Sequence, residues 1–152
     1  MILSQSCSTP KTTTSPEPVW PQGHFTFTQF QDTAHWKVWV DDTYQPDPGF
    51  MTIISESVHN YQIRCYAATW CGDSKEVVPQ FFHLLELAGY DPALVDYILL
   101  NKDRKGWVQL AGADSIRRVP TFIILKDGKE AGRITERPVQ TLEADLAAIL
   151  TH

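Results

Sequence analysis

The stretch from Tyr61 to Phe82, YQIRCYAATWCGDSKEVVPQFF, narrows the possible folds more than any other part of the chain. An apolar run carrying Tyr61, Ile63, Cys65 and Tyr66 ends in Ala67 and Ala68, and a helix-patterned segment follows from Ser74. The link from Trp70 to Asp73 is therefore a strand-to-helix turn, and Cys71 sits on it. A helix N-terminus carries about half a positive charge and several unpaired N–H groups, which favour a thiolate over a thiol. A nucleophilic sulfur is the expected chemistry. A lone cysteine is more often a small buried core residue, so the choice between the two readings rests on what surrounds Cys71.

Before this stretch, Phe25, Phe27 and Phe30 begin the globular part at His24, and Trp36, Trp39, Val40 and Tyr44 fall near helical spacing, predicting a helix over roughly 32–44. Asp47 followed by Pro48 makes an N-cap and first-turn pair. With Phe50, Ile53, Ile54 and Val58 on one face, it predicts a helix to about Asn60. After Cys71, apolar positions 77, 78, 81, 84, 85 and 88 trace a helical stripe stopped by Gly89, with a kink expected at Pro79. The run DYILLN, Asp96 to Asn101, reads as a buried strand, and Ala111 to Arg118 as a brief helical turn before Val119 and Pro120. TFIILKDGKEAGRIT holds an Asp127-Gly128 hairpin turn between two strands, and Leu142, Leu146, Ile149 and Leu150 mark a terminal amphipathic helix.

The first 23 residues are dominated by Thr, Ser, Pro and Lys, with prolines at 10, 16, 18 and 21, a composition expected to give a flexible tail on a domain spanning residues 24–152. Cys7 before a Ser/Thr/Pro spacer looks like the start of a mature bacterial lipoprotein. Only Ile2 and Leu3 precede it as apolar residues, so the sequence as written reads as cytoplasmic, and an envelope lipoprotein anchored at Cys7 would need a start further upstream. No apolar run approaches the ~20 residues of a transmembrane helix. A net charge of −5 argues against nucleic acid as a partner. Cys7, Cys65 and Cys71 lack metal-site spacing with any of the five histidines, so no metal is expected. The run Lys102, Asp103, Arg104, Lys105 reads as a solvated loop, His83 lies beside Phe82 with no evident tie to Cys71, and Glu143 and Asp145 read as surface charges.

The order of elements, together with Trp70-Cys71-Gly72, Pro79, the segment Ile116 to Thr121 and Lys126-Asp127-Gly128, resembles thioredoxin over roughly residues 45–150. The resemblance implies an α/β fold with a mixed central β-sheet flanked by helices on both faces. It also implies a cis proline at Pro120 lying against the active-site cysteine, where the preceding Val119 offers backbone hydrogen bonds to an extended substrate segment.

Two departures from that family define the chemistry that remains. Its usual C-G-P-C is here Cys71-Gly72-Asp73-Ser74, so the second thiol is a hydroxyl, and Ser74 cannot resolve a mixed disulfide. Ser74 is expected instead to cap the helix or hydrogen-bond the thiolate, and Asp73 to set a negative charge against the helix-dipole effect. Six residues before Cys71, where many thioredoxins have a buried aspartate, stands Cys65, read as a core residue. The leading expectation is a thiol-disulfide oxidoreductase or isomerase with Cys71 as nucleophile and Ser74 and Asp73 beside it. Trp70, Gly72, Val119 and Pro120 receive protein disulfides or thiols, with glutathione as co-substrate and no bound cofactor. The alternatives are a glutathione- or iron-sulfur-binding protein like the monothiol glutaredoxins, and a non-catalytic module that holds client proteins.

Overall fold

The computed structural model describes residues 15–36 and 43–152. The strands are β1 (Gly23–Phe25), β2 (Gln62–Ala67), β3 (Asp96–Leu99), β4 (Thr121–Lys126) and β5 (Lys129–Thr135), in the order β1-β3-β2-β4-β5. The sheet is mixed: β2 and β3 run parallel, and the other pairings are antiparallel. The helices are α1 (Phe27–Ala34), α2 (Pro48–Ser57), α3 (Gly72–Leu87), α4 (Trp107–Ala111) and α5 (Leu142–Leu150).

Alternation along the strands divides the core in two, because successive side chains point to opposite faces. Ile63, Cys65 and Ala67 of β2, Tyr97 and Leu99 of β3, and Phe122 and Ile124 of β4 face the larger core, with α1, α2, α3 and α5. Phe30 stacks on Tyr97 with ring centres 4.9 Å apart, and Phe81 on Phe122 at 4.0 Å. On the other face Tyr66, Ala68, Ile98, Leu100, Ile123 and Leu125 meet Trp107 and Ala111 of α4 and then Ile116 and Val119. There both carboxylate oxygens of Asp114 accept from Arg64 Nη1, at 3.1 and 3.0 Å, and Oδ2 also accepts the Tyr66 hydroxyl, at 2.6 Å.

Local signals place most of these elements. Asp47 caps α2 by accepting the Gly49 N–H at 2.7 Å, Pro48 opens the helix, and a 3-10 turn carries it on to Asn60. α3 continues through Pro79 and stops where Gly89 takes a positive φ of 73°. Asp127 and Gly128 both have positive φ, 52° and 75°, as a tight hairpin turn requires.

Two expectations are corrected, and one strand is added. The helix expected over 32–44 begins at Phe27, where Thr26 and Gln29 form a reciprocal capping box, and it ends at His35 in a left-handed cap. Trp36 is buried beyond that helix and Tyr44 lies in the turn before α2, whereas Trp39 and Val40 fall outside the described residues. Strand β1, pairing with β3, is additional, since three residues are too few to show a period in sequence. The brief helical turn expected within 111–118 is a 3-10 turn over Gly112–Asp114, and α4 leads directly into it. Glu143 is buried at 5% exposure, joined to the Tyr44 hydroxyl and to the Asp47 N–H at 3.2 Å, so it links α5 to the start of α2.

Of the expected tail, residues 15–22 carry no regular structure. Residues Glu17 to Trp20, Gln22 and the loop Asn101 to Asp103 line a cavity of about 530 Å³. Among the described residues no helix is long and apolar enough to cross a membrane.

Candidate active site

Cys71 is the N-cap of α3, the longest described helix at 16 residues, and is half-buried where β2 runs out. Its N–H donates to the Ala68 carbonyl at 3.1 Å and its carbonyl accepts the Lys75 N–H at 3.2 Å, which fixes the turn from strand to helix. The thiol donates to the Val119 carbonyl, 3.3 Å from Sγ. The Val119–Pro120 peptide bond is cis. The loop that carries it is braced from both sides, because the Thr121 hydroxyl donates to the Arg118 carbonyl at 2.8 Å and the Pro120 carbonyl accepts the Glu136 N–H at 2.7 Å.

The remaining residues singled out in the sequence gather at this point. Trp70 donates its indole N–H to the Leu100 carbonyl at 3.0 Å, and with Cys71 it packs against the smaller core. A side chain at Gly72 would meet nothing within 4 Å, so the position beside Cys71 is open space. Ser74 is fully buried, and its hydroxyl accepts the Ala68 N–H at 3.2 Å. That bond ties the first turn of α3 to the end of β2, and it spends the hydroxyl on the scaffold.

Asp73 is paired. Arg137, just beyond β5, reaches the first turn of α3 with Nη2 2.8 Å from Asp73 Oδ1 and 2.7 Å from Glu76 Oε2. Bonding to Glu76 and then to Asp73 pushes the guanidinium further above its already high range. Arg137 carries no sequence signal. It stands 61 residues from Glu76, and only the return of β5 beside β4 brings it to the nucleophile helix.

Cys65 is wholly buried between Tyr97 of β3 and Phe122 of β4. Burial alone pushes its thiol far above the ordinary range, so it contributes no thiolate in the folded protein. His83 lies half-buried further along α3, and the loop Lys102 to Lys105 is exposed. Among the described residues no three His, Cys, Asp or Glu side chains gather as a metal site.

Comparison with known proteins agrees with this geometry. Residues 26–148 match the family described as thioredoxin. A thioredoxin-like protein of Acanthamoeba polyphaga mimivirus is 25% identical over 97 residues, 64% of this chain and 68% of its own length. Thioredoxin H2-1 of Oryza sativa subsp. japonica is 28% identical over 93 residues, 57% of this chain and 63% of its own length. The chain thus spans about two thirds of these relatives. A crystal structure of a Pseudomonas aeruginosa protein of unknown function shares the fold at a TM-score of 0.54, with 16% identity, over 84% of this chain and 82% of that one.

Proposed function

Because the chain belongs to the thioredoxin family, we propose that it is a thiol-disulfide oxidoreductase or isomerase that works through the single nucleophile Cys71 and needs an external thiol to resolve its intermediate. One observation carries this reading: a half-buried cysteine at the N-cap of a 16-residue helix has its sulfur 3.3 Å from the carbonyl that precedes a cis proline.

The chemistry is a series of exchanges. The Cys71 thiolate attacks one sulfur of a substrate disulfide, forming a Cys71–substrate bond and expelling the other sulfur as a thiolate. If a different thiolate of the same substrate attacks the substrate sulfur of the mixed disulfide, Cys71 leaves and the pairing has been isomerised. If glutathione attacks the Cys71 sulfur instead, the substrate leaves as a thiolate and a Cys71–glutathione disulfide forms, and a second glutathione attacks the glutathione sulfur of that bond, freeing Cys71 and forming oxidised glutathione. Two glutathione thiols are oxidised for each substrate disulfide reduced. Protein disulfides and thiols are the substrate class. Val119 and Pro120 receive the substrate backbone, Trp70 and Gly72 border its approach, and the Val119 carbonyl exchanges its thiol donor for a substrate N–H.

Ser74 cannot take the place of glutathione, since a hydroxyl does not attack a disulfide at neutral pH and this one already accepts a backbone N–H. Reduction of a protein disulfide should proceed with glutathione and stall at the mixed disulfide without it, and Cys71→Ser should abolish it. Ser74→Cys should release substrate thiol without glutathione, at one turnover per reduced protein. Complete release by the natural chain without glutathione would refute the external-thiol mechanism, and full activity of Cys71→Ser would refute the nucleophile.

A further inference from the structure

The two walls of the proposed substrate site come from parts of the chain far apart in sequence, and a two-residue segment beyond β5 touches both. Glu136 holds the cis-proline loop: its N–H donates to the Pro120 carbonyl at 2.7 Å, and its carboxylate accepts from Arg118 Nη1 at 2.7 Å. Its φ of 60° is left-handed, uncommon for a residue other than glycine. Arg137 holds the nucleophile helix through Asp73 and Glu76.

We infer that Glu136 and Arg137 form a clasp across the site, with Arg137 as a positioning residue that keeps the Asp73 carboxylate from opposing the Cys71 thiolate. The inference rests on the reading of Cys71 as nucleophile. A carboxylate in the first turn favours the helix through its dipole, yet the same charge works against an anion forming two residues away. Arg137 separates these effects. It leaves the carboxylate at the helix N-terminus and supplies the cation that balances its field at the sulfur. The charged groups on the elements around Cys71 are Asp73, Lys75 and Glu76 on α3, Arg117 and Arg118 before the cis proline, and Glu136 and Arg137 beyond β5. Of these, Arg137 is the cation bonded to Asp73 and Glu76.

The test is the rate of Cys71 alkylation by iodoacetamide across pH, in the full chain with Cys7 and Cys65 changed to Ser and Ala. In a water-like dielectric two unit charges interact by about one RT at about 7 Å, and a coupling of that order means that Arg137→Gln should slow alkylation about threefold at neutral pH and low salt and move the pH profile upward. About 1 M salt should erase most of the difference. Arg137→Lys should recover part of the rate, and Arg137→Gln combined with Asp73→Asn should return close to the wild-type rate. Equal low-salt rates for wild type and Arg137→Gln would overturn the inference, as would a slow rate that persists in the double variant. If wild-type Cys71 reacts no faster folded than unfolded, the nucleophile reading falls and the clasp falls with it. A fast wild type with an indifferent Arg137→Gln overturns the clasp alone.

Discussion

Replacing Glu143 by alanine should destabilise the protein far more than loss of a surface charge would. The carboxylate is 5% exposed and holds two donors from the other side of the α2–α5 contact: the Tyr44 hydroxyl, and the N–H of Asp47, itself the cap of α2. Alanine leaves both donors without their acceptor. A buried polar group stranded in this way costs about 1–3 kcal/mol, and because both bonds are only part-buried the lower end, about 1–2 kcal/mol each, applies: the loss should be about 2–4 kcal/mol, or about 5–12 °C in Tm for a domain of this size. Glu143→Gln keeps one acceptor oxygen but points an NH₂ at a second donor, and should fall in between. Burial by itself would raise the Glu143 carboxyl, but hydrogen bonds from Tyr44, Asp47 and Thr141 outweigh it and hold the group below the ordinary carboxylate range. A carboxyl lowered by folding stabilises fully above its unfolded value, about 4.3, and that contribution is lost as pH falls through the lower folded value. Urea melts at pH 7 and across pH 5 to 3 should therefore show wild type ahead of Glu143→Gln at pH 7, with the gap closing in acid. Combining Tyr44→Phe with Glu143→Ala should cost less than the two single losses added together. A Glu143→Ala protein within about 0.5 kcal/mol of wild type would refute the reasoning, because that is the range of an exposed substitution.

Two further outcomes test packing and the site. A Cβ at Gly132 on β5 would lie 2.8 Å from Ile149 Cγ1 and 3.1 Å from its Cδ1 and Cγ2. Gly132→Ala should thus lower stability by about 1–3 kcal/mol through overpacking against α5, with Ile149→Ala in the same chain recovering part of the loss; calorimetry reads both. Cys65, buried with its thiol pushed far up, should resist alkylation in the folded protein and react on unfolding, whereas Cys71 should react in the native state; peptide mapping after a brief iodoacetamide pulse separates the two.

The strand-turn-helix around Cys71, the Asp47-Pro48 start of α2 and the Asp127-Gly128 hairpin were legible in the sequence, because each depends on residues within a turn or two of one another. The capping box Thr26–Gln29 is equally local, but the aromatic spacing of Trp36 to Tyr44 points to a helix further along the chain than α1. Beyond the cis proline that the family resemblance implies, tertiary structure decided what surrounds the sulfur. The Val119 carbonyl reaches Cys71 across 48 residues, Arg137 reaches Glu76 across 61, and Tyr44 reaches Glu143 across 99. Periodicity reports which face of an element is buried, not which distant side chain it meets. A charge such as Asp73 or Glu143 therefore reads in sequence as free and exposed, until the sheet order β1-β3-β2-β4-β5 brings β5 and α5 back to the elements that carry its partners.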